Sequence, residues 1–246
     1  MTENVIFAAK GLTVSFDGFK AVDDLSLFVQ ENELRVVIGP NGAGKTTLLD
    51  MICGKTKPNK GTIQFQGLEL TRMEDYQITR VGVGRKFQTP STYEDLKVFQ
   101  NLEISDPNIR TVAGCILFKR SDQLVERIHE IAEMVYLEDA LDKKAGTLSH
   151  GQKQWLEIGM LLMQDPKLLL LDEPVAGMSL RERELTAELL KKISKGRSMI
   201  VIEHDMDFVK SIAHNVTVLH QGKILAEGTM EEIQSNEKVI NVYLGH

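Results

Sequence analysis

Three glycines, a lysine and two threonines fall within the nine residues Gly39-Pro40-Asn41-Gly42-Ala43-Gly44-Lys45-Thr46-Thr47. The spacing fits G-x-x-x-x-G-K-[ST], the phosphate-loop pattern. Glycine reaches positive φ without steric cost, so the backbone can turn successive N–H groups inward around an anion. A helix starting near Lys45 aims its open N–H groups and the positive end of its dipole at the same point. Lys45 brings a mobile cation for the β- and γ-phosphates, and the Thr46 hydroxyl suits Mg2+. Without a strand before it and a helix after it, such a stretch is only a glycine turn. Here Arg35-Val36-Val37-Ile38 reads as a short buried strand and Leu48-Leu49-Asp50-Met51-Ile52 as the first turns of a helix. The loop alone leaves kinases and GTPases open alongside ATPases.

A second constellation is Leu168-Leu169-Leu170-Leu171-Asp172-Glu173-Pro174. Apolar residues that end in two carboxylates describe a buried strand delivering acids at its C-terminal end, where ligands sit in open parallel sheets. Beside a phosphate loop, Asp172 suits a water-mediated Mg2+ holder. Glu173 suits a general base that polarises the attacking water. By itself the run is also an ordinary polar strand end. A third is Leu148-Ser149-His150-Gly151-Gln152, which opens a helix. Ser149 is a good cap and Gly151 permits close approach of a phosphate, although a plain capping sequence looks the same.

The elements around these residues alternate in character. Leu25, Leu27 and Val29 follow period two, and Asp17-Gly18 marks a turn after Thr13–Phe16, so the N-terminal part reads as an antiparallel flank. Gly61–Gly67 and Val81–Gly84 are further strand candidates. From Ser121 to Leu137 the apolar spacing is helical, and a second helix runs from about Ser149 through Leu162. Strands are expected at Lys167–Leu171 and Ser198–Ile202, helices at Arg181–Ile193 and Asp205–Ala213, and a hairpin around Gln221-Gly222. The expected fold is α/β: a phosphate-loop core with a mainly parallel sheet (1–90 and 161–246), the antiparallel flank, and an inserted helical subdomain over about 91–160.

The whole chain of 246 residues carries a net charge of −6 with 42% hydrophobic residues. The acidic balance argues against a nucleic-acid partner. Cys53 and Cys115 are far apart and form no C-x-x-C pattern, as expected of reduced thiols in a cytosolic protein. No secretory leader and no long apolar run is present, so a membrane role would go through a partner.

In order and spacing the three constellations resemble the ATP-binding-cassette ATPases over essentially the whole chain. The resemblance implies binding of ATP and Mg2+ and further roles. Phe16 matches the aromatic that stacks on adenine, though a Phe after a strand also suits a core. Gln88 matches the glutamine that senses Mg2+ and water and couples to the transport partner. His204, in Val201-Ile202-Glu203-His204-Asp205, matches the γ-phosphate histidine, where a helix cap is the other reading. Residues 174–179 match the loop crossing the dimer interface. Ser149, Gly151 and Gln152 would close the site of a second ATP-binding subunit, so that ATP glues two cassettes together. His150 stands where the family has a second glycine, and Ser179 where it has an aspartate.

Asp172–Met178 resembles the branched-chain amino acid and urea uptake branch. Leu148–Met160 and Arg85-Lys86-Phe87-Gln88 look most like the first ATP-binding subunit of bacterial urea transporters, and Val242–Gly245 fits the same branch. The implied assembly holds two permease subunits, a second ATP-binding subunit and an extracytoplasmic substrate-binding protein. The cassette would sit at the cytoplasmic face of the inner membrane and drive uptake of urea or short amides. Other readings are a branched-chain amino acid importer, a lipid or lipopolysaccharide exporter, and a cassette scaffold without a permease. Cassettes of DNA repair carry coiled coils, zinc modules or paired cassettes, which this sequence lacks.

Overall fold

The computed structural model describes residues 4–86, 91–109 and 119–244. The chain divides into two compact units. One takes Met1–Arg85, Lys167–Glu173 and Leu190–His246, and the other takes Lys86–Pro166 and Pro174–Leu189.

The first unit is built on two sheets. Strands β1 (Val5–Phe16), β2 (Phe19–Gln30), β4 (Lys60–Phe65) and β5 (Leu68–Glu69) form an antiparallel sheet in the order β2-β1-β4-β5. Its hairpins turn on Asp17-Gly18 and Gln66-Gly67, in which both residues have positive φ. That is the two-residue turn whose twist matches paired strands. The second sheet has the order β10-β9-β3-β8-β7-β6. It contains β3 (Leu34–Ile38), β6 (Val83–Lys86), β7 (Leu168–Asp172), β8 (Ser198–Ile202), β9 (Asn215–His220) and β10 (Lys223–Gly228). Strand β3 lies parallel to both β8 and β9, and β7 lies parallel to β8. The adjacent strands β3, β8 and β7 therefore end on one edge, where the chain emerges as Gly39, Glu203 and Glu173. That edge is the ligand edge of open α/β sheets.

Leu168, Leu170, Ile200, Ile202 and Val37 of this sheet share one core with Phe7, Leu25 and Phe65 of the antiparallel sheet. Leu48, Leu49 and Ile52 of helix α1 (Lys45–Ile52) join it. Burial on both faces explains why Leu168–Leu171 of β7 and Met199–Ile202 of β8 read as unbroken apolar runs rather than alternating ones.

Among the described residues the second unit is helical. It contains α3 (Val98–Glu103), α4 (Asp122–Met134), α5 (His150–Met163) and the first turns of α6 (Leu180–Ser194). Ser121 caps α4 by accepting from the Leu124 N–H. Trp155 of α5 stacks edge-on with Tyr136 and donates its indole N–H to the buried Thr186 hydroxyl of α6.

Two six-residue helices, α2 (Asp75–Arg80) and α3, escape the apolar periodicity because each has under two turns. Their sequence signal is a glutamine three residues past the cap: Gln77 accepts from the Glu74 N–H and Gln100 from the Lys97 N–H. The strand expected at Val81–Gly84 forms at Val83–Lys86 instead. Gly82 takes φ +106° and gives its carbonyl to the Lys167 and Leu168 N–H groups.

Candidate functional site

The phosphate loop leaves β3 and enters α1 through Gly44, which has φ +98°. A Cβ there would lie 2.5 Å from the Ala21 carbonyl oxygen, so the loop's seat against β2 admits only glycine. Ala43 is buried and its carbonyl accepts from the Gly222 N–H. Asn41, Gly42 and Thr46 are exposed, while Pro40 and Thr47 are half-buried. Lys45 is 9% exposed, and its ammonium donates to the carbonyls of Gly39 (2.8 Å) and Pro40 (3.1 Å). Burial lowers the Lys45 pKa, against the pull of Glu173 and Asp172. The cation, both acids and the loop thus share one electrostatic neighbourhood.

Asp172 is 4% exposed at the end of β7. Glu173 follows with φ +47°, a left-handed backbone that a non-glycine residue adopts at a cost of about 1 kcal/mol or more. Its N–H donates to the Ile202 carbonyl of β8, which fixes the turn. Its carboxylate stands 3.3 Å from His204 Nδ1. His204 is mostly exposed, and Asp205, not His204, caps the following helix α7 (Met206–Ile212). The exposed imidazole is thereby left to face Glu173. Phe16 is 48% exposed at the tip of the β1–β2 hairpin, opposite Phe19, and is not a core residue.

The first unit thus gathers Gly39–Thr47, Asp172, Glu173 and His204 at one sheet edge. Ser149, Gly151 and Gln152 belong to the other unit. There the Ser149 hydroxyl accepts from the Gln152 N–H and the Gln152 side chain accepts from the Ser149 N–H, a reciprocal capping box at the start of α5. His150, at the unusual position, puts its Nε2 3.1 Å from the Ala176 carbonyl. Gln88 lies outside the described residues.

Two arrangements were not legible from the sequence. Arg85 donates to the Asp50 carboxylate of α1 (2.6 Å) and to Cys53 Sγ (3.1 Å), and its other terminal nitrogen is 3.8 Å from Asp172. A single buried guanidinium thus ties the end of the phosphate-loop helix to the strand-end acid. Arg85→Met should cost about 2 kcal/mol in urea unfolding. Arg85→Lys should recover less than half of that, because one ammonium cannot span these acceptors. Full stability in the Met variant would show the link to be idle. The second arrangement is fully buried Lys86, 3.6 Å from Glu157 of α5, whose carboxylate also accepts from the Ser91 N–H (3.3 Å).

Among the described residues no three His, Cys, Asp or Glu side chains cluster as a metal cage. One threonine hydroxyl and one carboxylate, Thr46 and Asp172, suit a hard cation that keeps water and phosphate as its other ligands, as Mg2+ does.

The family profile described as ABC transporter matches residues 22–176, and that of the branched-chain amino acid ATP-binding cassette transporter matches 223–246. A high-affinity branched-chain amino acid transport ATP-binding protein of Pseudomonas aeruginosa is 36% identical, covering 98% of each chain. Its counterpart from Escherichia coli K12 is 33% identical over the same shares. An ATP-binding cassette of an ABC transporter solved in its ADP conformation superposes with TM-score 0.87 at 31% identity, covering 98% of this chain and 99% of that one. A nucleotide-free cassette gives TM-score 0.84 at 32% identity, covering 98% and 100%. These relatives overturn the urea assignment: they carry branched-chain amino acid transport names, and the C-terminal match is to the same branch. The misleading stretches are Leu148–Met160, which runs into α5, and Arg85–Gln88, of which Arg85 and Lys86 end β6 and Phe87 and Gln88 lie outside the described residues. Neither is expected to touch the transported solute.

Among the described residues no helix is long and apolar enough to cross a membrane.

Proposed function

The chain belongs to the ABC transporter family and is an ATP-binding cassette with ATPase activity, and from that premise we propose that it energises import of branched-chain amino acids. The carrying observation is that Lys45, Asp172, Glu173 and His204 converge on one sheet edge in a chain whose last segment matches the branched-chain transporter profile. In this reading the loop N–H groups and Lys45 hold the β- and γ-phosphates. Thr46 and Asp172 would hold Mg2+, which would supply neutralisation of charge on the phosphates. Glu173 takes the proton of the attacking water, and His204 orients the Glu173 carboxylate and reaches toward the γ-phosphate. Phe16 stacks on adenine and Gln88 couples the site to the permease.

The assembly comprises two permease subunits, a second cassette and an extracytoplasmic binding protein, with this chain on the cytoplasmic face. Ser149, Gly151 and Gln152 complete the nucleotide site of the second cassette. The test is reconstitution with permease subunits, a second cassette and a binding protein of the branched-chain amino acid class. Leucine- or valine-loaded binding protein should stimulate ATP hydrolysis several-fold. Stimulation by a chemically unrelated solute, with none by leucine, isoleucine or valine, would refute the substrate class.

A further inference from the structure

The group seated over the start of α5 is a carboxylate. Glu182, in the first turn of α6, accepts from the Ser149 hydroxyl (3.3 Å). A Cβ built on Gly151 would lie 2.3 Å from Glu182 Oε1 and 2.6 Å from its Cδ. The bare Cα of Gly151 is therefore what admits the Glu182 head. The other oxygen, Oε2, accepts from both the N–H and the hydroxyl of Ser179, each at 2.8 Å. One side chain thus joins Ser149 to Ser179, the residue that stands in place of the interface-loop aspartate.

We propose that Glu182 is a positioning residue for the half-site this chain offers to a second cassette, holding Ser149 and Ser179 in register and standing where the γ-phosphate of the second cassette's ATP must dock. The inference rests on the reading of Ser149 as a donor to that phosphate. A helix N-terminus with its open N–H groups attracts an anion, and the Glu182 carboxylate is the anion set beside Ser149 and Gly151 there. Hydrogen bonds from the Ser179 N–H and hydroxyl hold the Glu182 carboxyl below the usual carboxylate range, so it is ionised at neutral pH. Two anions cannot share one serine hydroxyl and one glycine-lined gap without repulsion. Cassette closure must therefore move the Glu182 head aside while Ser149 transfers its hydrogen bond from carboxylate to phosphate. The carboxylate sets a threshold: it tunes how much ATP is needed to bring two cassettes together.

The variant that isolates the charge is Glu182→Gln. Glutamine keeps the shape and still closes the Ser179 capping box, so a purely structural role predicts equal or weaker association. In the Glu173→Gln background, ATP-driven self-association is followed by light scattering across an ATP titration. Adding Glu182→Gln should lower the ATP midpoint about fivefold, or yield a dimer where the parent forms none. An unchanged or raised midpoint, or no dimer in either protein, overturns the proposal. A Ser149→Ala arm separates the two levels. If it raises the midpoint while Glu182→Gln changes nothing, only the role of Glu182 falls. If it leaves the parent's association unaltered, the reading of Ser149 falls and the proposal with it.

Discussion

Replacing Glu173 by glutamine should reduce ATP hydrolysis about tenfold or more while leaving ATP binding intact. The amide has nearly the same volume as the carboxylate and the same backbone, so the left-handed turn at φ +47° and its bond to Ile202 are kept. What disappears is the group able to take the proton of water. The nearby Lys45 ammonium remains held by the Gly39 and Pro40 carbonyls, so phosphate recognition is not dismantled. Phosphate release measures the first effect and calorimetric titration with ATP the second. Hydrolysis at the unmodified rate would remove Glu173 from the role of base and redirect attention to His204, 3.3 Å away.

The largest expected loss of stability is at Lys86→Met. Removing one partner of a buried ion pair leaves the other charge without compensation and costs about 3–4 kcal/mol. Glu157 is that partner. Burial pushes its carboxyl pKa up, while Lys86 and the Ser91 N–H pull it down. Losing the cation drives it further up. The native state then keeps a proton that the unfolded chain releases above its ordinary value of 4.5, so the stability contribution is intact below that pH and is lost as pH rises toward the folded pKa. The deficit in melting temperature should therefore be larger at about pH 8 than at about pH 5. Adding Glu157→Leu should restore most of it, since well-packed apolar replacements of buried ion pairs are often neutral. A deficit equal at both pH values, and unrelieved in the double variant, would mean that packing of the lysine stem matters rather than its charge.

Much of this site is legible in the sequence because its parts are local. Gly39–Thr47, Leu168–Glu173 and Ser149–Gln152 are each contiguous runs whose spacing carries the chemistry. The α/β core is legible for the same reason: Leu168–Leu171 and Met199–Ile202 are unbroken apolar runs, and Gln221-Gly222 is a recognisable hairpin turn. What escapes is long-range pairing. Arg85 meets Asp50 across 35 positions and Lys86 meets Glu157 across 71. Neither partner of either pair is unusual in its own neighbourhood. Glu182 escapes for a related reason. As the third helix residue after a serine it reads as an ordinary capping glutamate, and only the fold brings it over Gly151. The transported solute escaped as well, because nothing in this chain is expected to bind it.

The turn at Gln221-Gly222 has a consequence for how the protein is made. Gly222 receives the Asp23 N–H on its carbonyl and gives its own N–H to the Ala43 carbonyl, so it bridges the first hairpin and the phosphate loop. Strand β9, just before it, flanks the strand from which that loop springs. A ribosome delivers the loop well before this brace. Throughout that interval the nascent cassette lacks the support that seats its loop.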